Sequence, residues 1–264
     1  MPRACLVLVL AATSLPGVPV LFAADLGAIK ARGAIRVVVA ADEAPETFDS
    51  KGGSRPGFER ELVETFAHHQ GLKVEVVSAR SYPDRIPLLL ADKGDVIVAI
   101  FDTPERRQQV AFTSEVMPTY TVSVTLSPKA APKSLDELRR EKVGVKRGTA
   151  PAEELPAAGV ASPRSFGSSK EMIAALASGE VTALVMPISE FALAAKSERR
   201  LTAGTTVGAT GSVAWAVRKE DVALRTALDE HLANVRKSAS WNLLLVKYFG
   251  EQAPLVLGRR REPQ

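Results

Sequence analysis

The sequence predicts an α/β protein of two lobes, each a mostly parallel sheet flanked by helices. Three observations carry this reading. Short runs of β-branched and aliphatic residues, of the length expected for strands buried on both faces, alternate with helical patterns. The series strand, helix, strand, helix, strand occurs and then restarts, which is the pattern of two successive α/β units. The last two helical stretches have no strand of their own, so they are expected to pack back on the first lobe.

The elements follow in order. After a helical lead-in at 26–32, residues 35–40 form the first strand. A loop at 42–55, rich in acids and glycine, leads to a helix marked by Phe58, Leu62, Val63 and Phe66 and closed by Gly71. The second strand is 73–77, a helix holding Leu88 and Leu89 ends near Gly94, and 95–100 is the third strand. The pattern restarts after 122–126. Ser134 with Glu137 forms a capping box ahead of the strand at 142–146, and Arg147-Gly148-Thr149 follows. A second box, Ser168 with Glu171, starts a helix that ends near Gly179, before the strand at 181–186. The last strand is 211–218. Helices at 222–235 and 241–249 close the chain at Gly250.

Composition removes several classes. The 264 residues are 46% hydrophobic and 24% charged, with 18 glycines and 17 prolines, which excludes a disordered, collagen-like or coiled-coil chain. The net charge of +4 is spread thinly, and the longest basic cluster, Arg259-Arg260-Arg261, lies in a tail at 259–264, so no nucleic-acid groove is indicated. The one cysteine, Cys5, allows neither an internal disulfide framework nor a cysteine zinc site. His68 and His69 are helical neighbours and point about 100° apart, so they do not chelate one ion. No metal or cofactor is expected.

Residues 1–24 carry an arginine, an apolar run, and small residues ahead of Asp25, the order of an export signal. Leu21 and Phe22 make the cut imperfect, which leaves an uncleaved anchor as the alternative. No later stretch reaches 18 uninterrupted apolar residues. The expected product is exported to the periplasm. No kinase or transglycosylase segment follows Gly250, so fused forms are not expected.

Several short motifs occur in a fixed order: Gly57-Phe58-Glu59-Arg60-Glu61-Leu62, Thr103-Pro104-Glu105-Arg106 followed by Val110-Ala111-Phe112-Thr113, Ser134-Leu135-Asp136-Glu137-Leu138, Val143-Gly144-Val145 before Gly148-Thr149, and Ala214-Trp215-Ala216-Val217-Arg218. In this order the chain resembles the extracellular solute-binding proteins of family 3, the periplasmic receptors of polar amino-acid ABC transporters. The resemblance implies a type II periplasmic-binding-protein clamshell. Lobe one would be 25–118 plus 213–258 and lobe two 119–212, joined by two crossing strands with ligand at the cleft. It also implies a monomer whose partners are a small molecule and an ABC permease of the inner membrane.

Residue by residue, Arg106 matches the arginine that grips the ligand carboxylate in amino-acid-binding relatives, a task suited to its planar fork. Thr149 matches a residue that helps hold that carboxylate, with an N-cap as its plainer role. Arg147 would add positive charge at the same mouth. The departures are as informative. Pro187 stands close to the position of an ammonium-holding acid, Ala40 and Ala41 stand at a second, and Glu43 replaces a stacking aromatic. The stretch before Arg106 is one residue short and offers Ala99, Ile100, Phe101 and Asp102 where Ser or Thr is common.

The carboxylate half of an amino-acid site is therefore partly present and the ammonium half largely missing, with Asp42, Glu43 and Asp102 as the acids able to replace it. An unpaired buried charge costs several kcal/mol, so the expected ligand is a small polar or anionic solute captured for an ABC-type permease. Two other functions are open. One is a periplasmic accessory or sensory protein, such as those associated with quinoprotein dehydrogenases, that contacts another protein. The other is a dehydratase-like enzyme, for which Glu43 is the one candidate general acid. The reading taken here is a binding protein and not an enzyme.

Overall fold

A computed structural model describes residues 26–258; the expected export signal and the basic tail at 259–264 lie outside the described residues. The elements run α1 (Leu26–Arg32), β1 (Ala34–Ala40), α2 (Pro45–Phe48), α3 (Phe58–His69), β2 (Lys73–Ala79), α4 (Arg85–Leu90) and β3 (Val96–Phe101). Next come α5 (Pro104–Arg107), β4 (Ala111–Phe112), β5 (Met117–Leu126), α6 (Leu135–Leu138), β6 (Val143–Lys146), α7 (Ala150–Glu154) and β7 (Arg164–Phe166). The chain then forms α8 (Ser169–Ser178), β8 (Ala183–Pro187), α9 (Ile188–Ser197), β9 (Leu201–Val217), α10 (Val222–Lys237), α11 (Ala239–Phe249) and α12 (Ala253–Val256).

The strands join in the order β2-β1-β3-β9-β5-β8-β6-β7, with β4 also on β9. At one end β1 runs parallel to β2 and β3; at the other, β6 runs parallel to β7 and β8. Two long antiparallel strands connect these groups. β5 pairs with β9 from Met117 opposite Val213 to Leu126 opposite Leu201. The two sheets of the sequence reading are thus one continuous sheet, and the strand placed at 211–218 starts ten residues earlier, at Leu201. Its first part, LTAGTTVGATG, alternates small and polar residues and is largely exposed, so it carries no apolar run to betray a strand. The sequence pattern does not signal helix α9 either. It begins directly after Pro187, where a strand pattern turns to a helical one without a glycine between them.

The core divides with the sheet. One cluster gathers Val37 and Val39 of β1, Phe58, Leu62 and Phe66 of α3, Trp215 of β9, and Leu228 of α10. Phe58 contacts Trp241, Tyr248 and Phe249 of α11, with ring centroids 5.7, 6.2 and 5.2 Å away. The closing helices therefore do pack on the first α/β unit. A second cluster joins Val122 and Val124 of β5 to Met172, Leu176, Leu184, Met186 and Phe191. The hydroxyl of Tyr120 on β5 donates to the carbonyl of Leu255 at 3.2 Å, and the segment after α11 reaches both clusters, Ala253 and Val256 in the first and Leu255 against the second.

Ser134 and Ser168 cap their helices, accepting from the N–H groups of Glu137 (3.2 Å) and Glu171 (3.3 Å). The two acids reach back one residue further than a capping box requires, to the N–H groups of Lys133 and Gly167. Helix α8 ends on Gly179 in the left-handed region, φ 78°, as the sequence predicts.

Candidate ligand-binding site

A cavity of about 650 Å³ opens where the carboxyl ends of β1, β3, β6 and β8 converge. Its size lies within the usual range for small-molecule sites. The first α/β unit contributes the loop after β1 (Asp42 to Thr47), the start of α3 (Phe58, Glu59), Tyr82, Arg85, Ala99, Phe101 and Arg106. The second contributes Lys146, Thr149, Ala150, the start of α8 and the first turn of α9, with Pro187 and Glu190.

Four of the six residues singled out from the sequence line this space: Glu43, Phe101, Arg106 and Thr149. Arg106 is buried on α5, a helix capped by Thr103, whose hydroxyl accepts from the Arg106 N–H at 3.3 Å. Its guanidinium donates to the carbonyl of Phe101 (3.2 Å) and to Glu153 (3.4 Å). Thr149 precedes α7 without capping it by its side chain; its hydroxyl donates to the Lys146 carbonyl at 2.7 Å.

The other two, Asp102 and Arg147, are not among the residues that line it. Asp102 accepts from the Nε and Nη2 of Arg107, each at 2.5 Å, and is engaged there. Arg147 is exposed in the turn that follows β6 and is absent from the cavity wall, whereas its neighbour Lys146, the last residue of the strand, is buried and lines it.

The fold brings in residues that the sequence reading passed over. Lys146 donates to the hydroxyl of Tyr82 (3.1 Å) and to Ser169 (3.3 Å), and pairs with Glu190 at 3.3 Å. Burial alone would push its ammonium down, but Glu190, Tyr82 and Glu43 outweigh it and hold Lys146 above the usual lysine range. Ser169 donates to the same Glu190. Tyr82 in turn donates to Glu43 at 2.8 Å, and its ring is flanked by Lys146 and Arg85, each 4.7 Å from the centroid. Lys146 and Tyr82 come from different α/β units, so this chain of contacts crosses the cleft. Gly148 makes the approach possible: with φ at 68°, a Cβ there would lie 2.5 Å from Pro83.

Arg85 is 3% exposed and donates to the main-chain carbonyls of Tyr82, Val98 and Ala99. Burial pushes its guanidinium below the usual arginine range. Ala99, the residue it holds, has φ 50° at the point where the pairing of β3 with β9 slips register. Glu59 is buried in the cavity wall and accepts from the indole N–H of Trp215 at 2.6 Å. Burial raises its carboxyl to about 7, with the charge of Glu43 adding to the rise and Trp215 opposing it.

The cavity thus holds more acids than the sequence reading allowed. Glu190 lies three residues past Pro187, just under one helical turn beyond the position inspected, and Glu59 sits within a motif legible only as structural. Among the described residues, no group of three or more His, Cys, Asp or Glu side chains is placed to hold a metal ion.

A cleft at strand ends, closed by opposed charges from two α/β units, defines a two-lobed small-molecule-binding protein of the type II clamshell class. The chain belongs to the bacterial extracellular solute-binding proteins, family 3, whose pattern matches residues 35–251. Among solved structures it is similar to a variant of ArgBP from T. maritima, at 26% identity and TM-score 0.76, covering 85% of this chain and 98% of that one. It is also similar to an ancestral amino-acid-binding protein, a precursor of cyclohexadienyl dehydratase, at 27% identity and TM-score 0.76, covering 85% and 99%. Among curated proteins it matches membrane-bound lytic murein transglycosylase F of Stutzerimonas stutzeri, 26% identical over 235 residues, or 86% of this chain and 48% of that protein. The same protein of Aeromonas hydrophila is 28% identical over 239 residues, or 86% and 47%. The chain spans about half the length of these curated relatives.

Proposed function

We propose that the protein is a periplasmic solute-binding protein that captures a small polar solute in this cavity and delivers it to an ABC-type permease without transforming it. The observation that carries the reading is the buried Arg106 in a cavity walled by both α/β units. A bidentate guanidinium suits a carboxylate, and Glu153, which holds it at 3.4 Å from a half-exposed position, is readily displaced. Thr149 stands on the opposite wall. The two units act as lobes, 25–118 plus 213–258 and 119–212, that close on the solute about the crossing strands β5 and β9.

A second reading rests on the transglycosylase relatives, in which the matched half accompanies a further segment. Here the same cavity would sense a solute for a partner protein instead of a permease. Calorimetry with amino acids and simple carboxylates, paired with small-angle scattering, tests what both readings share. One solute is expected to bind one-to-one and compact the particle. If none binds and none compacts it, solute capture is wrong. Affinity capture of the loaded protein on permease-containing membranes then separates the two readings.

A further inference from the structure

The acids and cations on the cavity wall pair off unevenly. Of the acids, Glu46 is exposed and Glu198 is held by Arg200 at 2.8 Å. Glu59 accepts from Trp215, and Glu43 accepts from Tyr82 at 2.8 Å. The charges of Glu43 and Asp42 both act on the buried guanidinium of Arg85, although the Oδ1 of Asp42 accepts no hydrogen bond. Glu190 pairs with Lys146 at 3.3 Å. Two wall cations are left over. Arg106 meets only the half-exposed Glu153, and the exposed Lys170 pairs with no acid among the described residues.

Lys146 is the wall charge whose surroundings form a complete site. Its ammonium donates to the hydroxyl of Tyr82 at 3.1 Å and to Ser169 at 3.3 Å, and it meets the carboxylate of Glu190. Three acceptors match the three N–H donors of an ammonium. The same nitrogen lies 4.7 Å from the centre of the Tyr82 ring, within reach of a cation–π contact. Both hydroxyls are oriented for the task. Tyr82 spends its own hydrogen on Glu43 and Ser169 spends its own on Glu190, which leaves their lone pairs for Lys146. An acid, two hydroxyl oxygens and an aromatic face would serve any primary ammonium, and here a side chain of the protein fills the place.

We propose that Lys146 is the tethered occupant of an ammonium cradle and, by filling it, a specificity-determining residue: the cavity takes a carboxylate solute that brings no cation of its own. This rests on the reading that a solute occupies the cavity. Arg106 and Lys170, the unmatched cations, remain for the solute carboxylate. An ammonium on the solute finds Glu190 taken, and gives up its water without an equal partner. Without the lysine side chain the cradle stands open, and a solute ammonium inherits Glu190, Ser169 and Tyr82.

The test is calorimetry of the full protein with three probes that share one carbon skeleton. Pentanoate carries a carboxylate alone; 2-aminopentanoate and 5-aminopentanoate add an ammonium beside it or at the far end. The wild type should bind pentanoate at least about tenfold more tightly than either amino acid. Lys146→Ala should bind at least one of the amino acids about tenfold more tightly than the wild type does, and adding Glu190→Gln should remove that gain. A lysine with a merely structural role would yield no such gain when removed. Glu190→Gln alone leaves Lys146 without its acid, and should tighten pentanoate while gaining neither amino acid. Should Lys146→Ala fail to fold, this variant decides, and pentanoate bound no better than by the wild type overturns the inference. A wild type that binds an amino acid as well as pentanoate, on Asp42 or elsewhere, overturns it too, as does a folded Lys146→Ala that gains neither. If no probe binds the wild type or any variant, the inference falls, and the wider solute panel decides the function.

Discussion

Glu59 shows how a single buried carboxyl ties the stability of this fold to its site. Its native carboxyl lies near 7 against 4.5 for the ordinary group, because it is desolvated beside Glu43. The native state therefore binds more protons than the unfolded chain between those values. Stability falls as pH rises through this window and levels off above it, for a total of about 3 kcal/mol. Glu59→Gln keeps an acceptor for Trp215 and carries no charge. At pH 8 it is expected to be more stable than the wild type by up to about 3 kcal/mol, with the difference shrinking towards pH 5. Urea unfolding at both pH values checks this; a gain that does not change with pH would contradict it. At this scale the sequence was half legible. Arg106 stood out because its motif marks it, whereas Glu59, Lys146 and Glu190 acquire their roles only when chain segments distant in sequence meet.

Elements were easier to read where one face is apolar. Helix α3 followed from Phe58, Leu62, Val63 and Phe66, and all four are buried. The entry to that helix depends on Gly57, with φ 108° and ψ 150°, a region that essentially only glycine occupies. A Cβ there would lie 2.5 Å from the carbonyl oxygen of Thr47, and the Gly57 N–H donates to the hydroxyl of Tyr248 at 3.0 Å. Gly57→Ala combines backbone strain with a clash against main chain, and should destabilise the protein by about 3 kcal/mol or more. Thermal unfolding would show it; a melting temperature within a degree of the wild type would contradict it. Of β9, a strand of 17 residues, only the last part was legible in the sequence. Its pairing with β5 supplies what its own small and polar residues do not signal, since cross-strand bonding is invisible to a local pattern.

At the scale of the molecule, alternation of strands and helices was enough to announce two α/β units, because each parallel strand needs a crossover helix. It could not announce one continuous sheet, because that depends on β5 and β9 running through both units. The same two strands set the units face to face, so that Arg106 and Tyr82 on one side meet Glu153 and Lys146 on the other. The central claim is that a small solute is held here by Arg106. Native mass spectrometry of protein purified without denaturation tests it most directly, comparing wild type with Arg106→Ala and Arg107→Ala. The wild type and Arg107→Ala should carry one small molecule per chain, since Arg107 pairs with Asp102 and neither lines the cavity, and Arg106→Ala should carry none. A solute retained by Arg106→Ala, or a wild type that stays empty and takes up no compound of the calorimetric panel, would contradict the account.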